Sequence, residues 1–557
     1  MNILSVLFAG NIKKEAYENV FDGKNAFTMS VKKAANFESC GKLVILVKDD
    51  FDDQYLPQGV LGIELVRRPL WNVKILLSTL VEISVGYDAV FFAFADCPCL
   101  DGEIAKKILG RHIKYAADYS YADGYPYGLS PELVSASTLV FLEKIANDTK
   151  PSICQNAVKR DVLFSVLEKD INAFDIETEI SAVDFRQYRL SLSADSKRNL
   201  LLLQRFAVSG NVLPETLRTL PAFYPIEVTT ECPQKCKICP HSAVNRPKTI
   251  MDTANFAVLL DKIIEFSGDA VIDISLWGEL ALHPQKIELI RLVLDRPTLS
   301  LVIETSGLGW NDGELEEIKA MSDAAAPRIN DMCPVSVIVS LDAIENDHYQ
   351  KMRGDGFEQA LEAAKKIAAV FGDNAYIQAV RTKGSEIATE KFYRYWAEDQ
   401  GKTMQGNAAQ VIIQKYDHFC RRLPDIRAAD LSPVNRLPCI HNMRDMPILA
   451  DGTVLMCREI VAPVEPVVQG AALGTIFDNG THFEGGAANA STSTAGGSGE
   501  PKVRSEGGSP PLQILGNVFT DTLDDIWRRG EALFLAHHAK DYPDFCKDCD
   551  EYWTFNF

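Results

Sequence analysis

The sequence predicts an α/β protein of about three domains, and three observations support that prediction. The chain has 557 residues, which is too long for one hydrophobic core. In two separate regions, short apolar runs alternate with helix-length amphipathic stretches, a pattern typical of parallel sheets covered by helices. A third region carries cysteines on both sides of a stretch rich in glycine, alanine and serine. We therefore expect domains at residues 1–210 (including a connector), 215–425 and 430–557, with a flexible insertion at 478–511.

The composition narrows the class of protein. Hydrophobic residues make up 46% of the chain and charged residues 24%, as in ordinary soluble proteins. The net charge of −19 argues against non-specific binding to nucleic acid or to anionic membranes. No basic leader opens the chain, and no apolar run approaches the ~20 residues of a membrane span. The 13 cysteines then indicate metal or redox chemistry in the cytoplasm rather than a disulfide framework.

The first region predicts a parallel α/β layer, with helices between its strands. A fully apolar strand there ends in the turn Asp96-Cys-Pro-Cys-Leu100. The expected strands are Ile3–Phe8, Lys42–Val47, Ile63–Val66 and Ala89–Ala95.

The second region alternates six predicted strands with five predicted helices, so that we expect a parallel sheet whose chemistry lies where the strands end. The expected strands are Ile226–Thr230, Ala270–Leu276, Leu299–Thr305, Val335–Leu341, Tyr376–Arg381 and Gln410–Gln414. The expected helices are Thr253–Phe266, Pro284–Leu294, Gly313–Met321, Phe357–Phe371 and Thr389–Gln400.

Three cysteines follow the first strand of this region in a C-x3-C-x2-C array: Cys232, Cys236 and Cys239. Thiolates are the soft ligands that hold iron–sulfur clusters, and a four-iron cluster takes four ligands. Three cysteines would leave one iron open to a ligand that is not protein. A zinc site completed by His241 is the alternative interpretation of the same residues.

Polar motifs end the next three strands: Gly278-Glu279, then Ser306, then Ser340 with Asp342. Each motif alone is a weak signal, because a Gly-Glu pair can be a turn and Ser340 or Asp342 can cap a helix. The order and spacing of these motifs after the cysteines form the stronger signal.

Taken together, these motifs resemble the radical S-adenosylmethionine (radical SAM) superfamily. The resemblance implies a partial (β/α)6 barrel, a 4Fe–4S cluster and SAM, which an electron from the cluster cleaves to a 5′-deoxyadenosyl radical. It implies an electron donor such as flavodoxin or ferredoxin. The sequence departs from the family's Gly-Gly-Glu-Pro motif at Trp277 and Leu280, and Ile238 stands where an aromatic residue is usual. The residues implied as SAM contacts are Gly278, Glu279, Ser306, Ser340 and Asp342.

The C-terminal region resembles a small SPASM/twitch domain, including a Gly-x4-Cys element at Gly452 to Cys457. The resemblance implies a second, auxiliary 4Fe–4S cluster, although four thiolates could hold zinc instead. We expect Cys420, which has no partner in the nearby sequence, to be buried or free. The implied ligands are Cys439, Cys457, Cys546 and Cys549.

The first region resembles a nucleotidyltransferase, in which the Asp96 turn would bind metal and Lys24 would face phosphates. Its phosphate loop, Ala9–Lys14, lacks the arginine that pairs with a triphosphate. We therefore favour an inactive, substrate-presenting or interaction domain over an active one.

The three-part layout resembles the spirochaete-type "spiro-SPASM" family. That resemblance implies a radical SAM enzyme that abstracts hydrogen from a peptide, a protein or a small molecule, with oxidation of the substrate. Two alternatives stay open. One is an active nucleotidyltransferase with a degenerate barrel, and the other is a zinc-stabilised binding protein without catalysis.

Overall fold

A computed structural model describes residues 1–19, 21, 23–60, 62–149, 154–209, 217–243, 246–328, 332–399, 410–428, 436, 438–460, 514–547 and 549. The predicted insertion at 478–511 lies outside these residues. The structure confirms the predicted α/β class. In the described part of the chain, no helix combines the length and the apolar character that crossing a bilayer requires.

The first region forms a seven-stranded sheet in the order β3-β2-β1-β4-β6-β5-β7. Strand β6 runs antiparallel to both β4 and β5, so the sheet is mixed where the sequence predicted a parallel layer. The strands are β1 (Ile3–Phe8), β2 (Cys40–Lys48), β3 (Ile63–Arg68), β4 (Ala89–Phe94), β5 (Tyr119–Asp123), β6 (Glu132–Ser135) and β7 (Ile176–Ile180). The helices are α1 (Ala26–Ala34), α2 (Val73–Ile83), α3 (Gly102–Tyr115), α4 (Ala136–Asp148) and α5 (Val162–Leu167), and the connector forms α6 (Lys197–Ser209).

The second region forms a six-stranded sheet in chain order, and each neighbouring pair of strands is parallel. This is the predicted partial (β/α)6 barrel. The strands are β8 (Phe223–Pro225), β9 (Ala270–Asp273), β10 (Leu299–Thr305), β11 (Val335–Ser340), β12 (Ala375–Arg381) and β13 (Gln410–Lys415). The helices are α7 (Thr253–Ser267), α8 (Lys286–Leu294), α9 (Asp312–Ala324), α10 (Asn346–Met352), α11 (Phe357–Phe371) and α12 (Glu386–Tyr393), the last followed by a π-helical turn over Arg394–Asp399.

The first barrel strand begins earlier than predicted. Strand β8 ends at Pro225, and the next residues leave the barrel sheet to pair with the C-terminal region. The amide of Glu227 donates to the carbonyl of Ile448 at 2.8 Å, and the amide of Ile448 donates to the carbonyl of Pro225 at 2.8 Å. The amide of Ile226 still donates to the carbonyl of Asp273 at 2.6 Å, so this segment contacts both β9 and the C-terminal region.

The C-terminal region packs on the barrel as part of one hydrophobic core. Arg218 lies buried at this junction and donates to the carbonyl oxygens of Trp527 (2.6 Å) and Asn442 (2.9 Å). The region contains an antiparallel pair, β14 (Thr453–Leu455) with β15 (Ile514–Asn517). Its short helices are α13 (Ile440–Arg444), α14 (Leu523–Arg529), α15 (Glu531–His538) and α16 (Asp544–Lys547).

Candidate active site

A cavity of about 230 Å³ opens at the carboxyl ends of the barrel strands. This is the end at which parallel barrels carry their chemistry. The cysteine loop after β8 forms one wall, and residues that follow β13 and β14 form the opposite wall. The polar residues that line it include Asp273, Ser275, Glu279, Glu304, Ser306, Ser340, Arg353, Gln378, Gln414, Lys415, Asp417, Arg458 and Glu459.

All three thiols of the predicted cluster site, Cys232, Cys236 and Cys239, line this cavity. Burial raises the pKa of the Cys232 thiol to about 11 and that of Cys239 to about 12, and it also raises the pKa of Cys236. Without metal the thiols therefore keep their protons at neutral pH, and metal binding would release them.

The residues of this loop fit an iron–sulfur cluster. Three soft thiols face one enclosed space, and the remaining wall offers no fourth thiol among the described lining residues. Within the described part of the chain, no three Cys, His, Asp or Glu side chains converge closely enough for a single metal ion. The ligands of a four-iron cluster bind different iron atoms, so they stand farther apart than the ligands of one ion.

Residues of α10 and the residue after it hold the cysteine loop in place. The amide of Lys237 donates to the carbonyl of Met352 at 2.9 Å. Gln234 bridges the two elements, because its Nε2 donates to the hydroxyl of Tyr349 at 2.5 Å and its Oε1 accepts from Cys236 Sγ at 3.5 Å. Nη1 of the buried Arg353 lies 3.8 Å from Cys236 Sγ, so a permanent positive charge faces a predicted cluster ligand.

The Gly278-Glu279 pair packs directly against the strand that leads to the cysteines. A Cβ atom on Gly278 would lie 1.8 Å from the carbonyl oxygen of Thr229, so only glycine fits there. Glu279 is buried, and its carboxylate accepts hydrogen bonds from the hydroxyl of Thr305 at 2.7 Å and from the amide and hydroxyl of Ser306 at 2.8 and 2.7 Å. Burial raises the pKa of the Glu279 carboxyl, and these hydrogen bonds oppose that shift. Glu279 thereby fixes Ser306 at the cavity wall.

Ser340 belongs to a second polar network on the same wall. Its hydroxyl donates to Glu304 Oε1 at 2.6 Å. Gln378 Nε2 donates to the same carboxylate oxygen at 2.9 Å and to Ser340 Oγ at 3.1 Å. Glu304, near the end of β10, and Gln378, in β12, are not among the predicted SAM contacts, although both line the cavity.

Asp342, the last of the predicted SAM contacts, is bonded within the fold. It is buried, it has a left-handed backbone (φ 63°), and it is not among the residues that line the cavity. Its Oδ2 accepts from Arg353 Nε at 2.6 Å, and its Oδ1 accepts from the amide of Val380 at 2.6 Å. Asp342 therefore orients Arg353 toward the cysteine loop instead of reaching the cavity itself.

Asp273, at the end of β9, is a carboxyl group of the site that the sequence did not reveal. Burial, and then the negative charge of Glu304, raise its pKa to about 7. Arg458, from the opposite wall, counteracts that shift. A carboxyl group with such a pKa can hold or release a proton at neutral pH.

The C-terminal cysteines lie near one another. Burial is the largest cause of the raised pKa values of Cys439, Cys457 and Cys546, and the Cys549 thiol is a further cause for each of them. His537 lies beside two of the four, 3.3 Å from the amide of Cys439 and 3.3 Å from Cys546 Sγ. The four thiols thus form a second candidate cluster site.

Cys420, which the sequence predicted to be buried or free, is a partly buried free cysteine and a fifth thiol of this group. A hydrogen bond to the Cys549 thiol is the main cause of its raised pKa, and Cys457 contributes as well. The turn that carries it is unusual, because Phe419, Cys420 and Arg421 all have left-handed φ angles of 50–66°. The local sequence contains no glycine to signal that turn.

The second cysteine group lies behind the cavity wall. Phe419 and Arg458, the neighbours of Cys420 and Cys457, line the cavity, whereas none of the five thiols is among its described lining residues. The first cysteine set therefore lines the cavity, whereas the second set adjoins residues of its wall without being among the described lining residues.

Comparisons with known proteins agree with this geometry. The profile of the Radical SAM superfamily matches residues 226–380. An uncharacterised protein of Treponema pallidum (strain Nichols) is 32% identical over 414 residues, which cover 71% of this chain and 98% of the relative.

Two solved structures show distant likenesses. One is BtrN in complex with AdoMet and 2-DOIA, at 13% identity and a TM-score of 0.33, covering 60% of this chain and 94% of that chain. The other is a cytidylyltransferase from Leptospira borgpetersenii serovar Hardjo-bovis (strain JB197), at 13% identity and a TM-score of 0.31, covering 38% of this chain and 89% of that one. The profile match, together with the cysteine loop and the barrel that carries it, shows that this chain belongs to the radical SAM superfamily and shares a family with the Treponema pallidum protein.

Proposed function

We propose that this protein cleaves SAM reductively at a 4Fe–4S cluster on Cys232, Cys236 and Cys239, and that it then abstracts hydrogen from a substrate in the cavity. The observation that supports the proposal most strongly is that three thiols and two hydrogen-bonded polar networks converge on one cavity at the carboxyl ends of the barrel strands. When bound, the cluster supplies the electron that breaks a carbon–sulfur bond of SAM. The protein supplies position, shielding and proton control.

The polar networks are suited to hold SAM beside the cysteines. Gly278 and Glu279 lie next to the cysteine loop and offer backbone and carboxylate oxygens to an ammonium group. Ser306 and Ser340 offer hydroxyl groups, each fixed by a carboxylate. We assign these four residues, all of which line the cavity, to SAM. We make Asp342, which is not among the lining residues and accepts from Arg353, a positioning residue.

The opposite wall is suited to the substrate. Lys415, Asp417, Arg458 and Glu459 bring charges of both signs to the cavity, which favours a polar substrate. A peptide or protein side chain, or an alcohol of a small molecule, meets that requirement. Asp273, whose pKa is about 7, is placed to take a proton from a substrate that is being oxidised.

The second cysteine group supports an oxidative reaction. We propose that Cys439, Cys457, Cys546 and Cys549 hold an auxiliary 4Fe–4S cluster. Cys457 directly precedes Arg458 of the cavity wall, and from there the cluster could accept the electron that remains after hydrogen abstraction. A flavodoxin or ferredoxin in the cytoplasm would supply the electron for SAM cleavage.

Anaerobic reconstitution tests the proposal. We expect a brown protein with about eight iron atoms per chain, which releases 5′-deoxyadenosine from SAM when dithionite is added. Colourless protein that carries zinc in both cysteine sets and releases no 5′-deoxyadenosine would contradict it and would favour a binding protein.

A further inference from the structure

The first domain has its own candidate centre, at the turn that follows β4. In the sheet order β3-β2-β1-β4, the chain adds β2 and β3 on one side of β1 and then returns to place β4 on the other side. Ligands of open α/β sheets bind at the point where the strand order reverses in this way. Asp96 lies there, at the position where the resemblance to nucleotidyltransferases implies a divalent metal ion.

The carboxylate of Asp96 is already fully engaged. Its side chain is completely buried. Arg160 donates to both oxygens, from Nη1 to Oδ1 at 2.7 Å and from Nη2 to Oδ2 at 2.6 Å. Nη2 of Arg160 also lies 2.8 Å from Asp195 Oδ2. The guanidinium packs on the rings of Phe94 and Tyr127, at 4.9 and 5.3 Å from their centroids.

A metal ion does not fit this arrangement. Divalent cations of this class bind carboxylate oxygens directly, and Arg160 holds both oxygens of Asp96. Arginine does not lose its charge in proteins, so a change of pH within the physiological range would not free the site. Breaking a buried ion pair also leaves an uncompensated charge, which is strongly unfavourable.

A separate ion pair, close to Asp195 in the chain, joins the first domain to the barrel. Asp195 lies just before α6, and Arg198 on that helix donates to both carboxylate oxygens of Asp269 at 3.0 Å and to its carbonyl oxygen at 2.6 Å. Asp269 directly precedes β9, so this contact lies at the amino ends of the barrel strands. The candidate SAM cavity lies at their carboxyl ends.

We propose that Arg160 takes the place of the divalent cation at Asp96, and that the first domain is a metal-independent brace for the barrel without nucleotidyltransferase activity. Its former catalytic end faces the barrel at the end away from the cysteines. The domain therefore does not pass a substrate directly to the SAM cavity of the same molecule.

Cation rescue of stability tests this proposal on the full-length protein. We expect millimolar Mg²⁺ or Mn²⁺ to leave the thermal unfolding midpoint of the wild type unchanged. Arg160→Ala should lower the midpoint by roughly 10 °C, and the same cations should restore at least half of that loss by pairing with Asp96 and Asp195. The matched control is Arg186→Ala, which removes an exposed guanidinium that also bridges two carboxylates, those of Asp123 and Asp184. Its midpoint should stay within about 2 °C of the wild type.

Two measurements would overturn the proposal without any need for the Arg160 variant to fold. One is saturable Mn²⁺ binding by the wild type that Asp96→Asn abolishes. The other is Mg²⁺-dependent release of pyrophosphate from a nucleoside triphosphate. Equal midpoints for Arg160→Ala and Arg186→Ala would overturn it as well.

Discussion

The two cysteine sets differ in number and in their access to the cavity. The barrel set has three thiols, and all of them line the cavity. The C-terminal set has five, and Phe419 and Arg458 separate it from the cavity. Because a four-iron cluster takes four ligands, the barrel set leaves a position for a cofactor, whereas the C-terminal set can complete its own coordination. Under the proposed function, ligand count and access to the cavity favour SAM cleavage at the barrel set and electron transfer at the C-terminal set.

Removing the barrel thiols should have the largest effect. We expect the triple variant Cys232→Ala, Cys236→Ala, Cys239→Ala to lose about four iron atoms per chain and all detectable release of 5′-deoxyadenosine. Iron analysis and chromatography of the SAM products measure both. Cys333→Ala is the control, because Cys333 is exposed, donates to Asn374 Oδ1 and is not among the described residues that line the cavity. Full SAM cleavage by the triple variant would refute the proposed function.

Removing one C-terminal ligand should separate the two roles. Cys457→Ala should also lose about four iron atoms, but it should still release 5′-deoxyadenosine, because Cys457 is not among the described residues that line the cavity. Electron paramagnetic resonance of the reduced protein should show the loss of one cluster signal and the retention of the other. If both signals vanish together, the two sites do not act as separate clusters.

Arg353 should affect the reduction potential of the barrel cluster without being required for iron binding. Its guanidinium stabilises negative charge at Cys236, and reduction adds negative charge to the cluster. Arg353→Met should therefore make the reduction potential of that cluster more negative and slow 5′-deoxyadenosine release roughly tenfold. Iron content should stay unchanged.

A redox titration followed by paramagnetic resonance measures this effect. Arg381→Met is the matched control, because Arg381 is the last residue of strand β12 and its side chain is exposed. A variant of Arg353 that loses iron at an unchanged potential would show that the residue has only a structural role.

The sequence predicted those parts of the site that depend on local pattern. The cysteine spacing, the Gly-Glu pair and the polar residue at the end of each strand are short motifs, and alternating strands and helices bring strand ends together. The barrel and the convergence of Ser306 and Ser340 follow from that regularity.

Long-range pairing was not predictable in the same way. Asp342 resembles a cofactor ligand until its partner Arg353, 11 residues later, is known. Arg160 meets Asp96 across 64 residues, and neither position suggests the other. Each of these buried charges is satisfied by a partner from another element, which local sequence does not reveal.

Replacing Cys420 should have the smallest effect of these variants. Five thiols compete for four positions, and the turn from Phe419 to Arg421 holds Cys420 against Cys549 in a strained backbone. If the four predicted cysteines are the ligands, Cys420→Ser should leave the iron content unchanged and shift the auxiliary cluster signal only slightly, because a hydroxyl group replaces a neighbouring thiol. Cys549→Ala should lose iron more completely in the Cys420→Ser background than alone, since Cys420 can then no longer take the vacant position. Loss of about four iron atoms from Cys420→Ser by itself would instead make Cys420 a ligand and displace one of the predicted four.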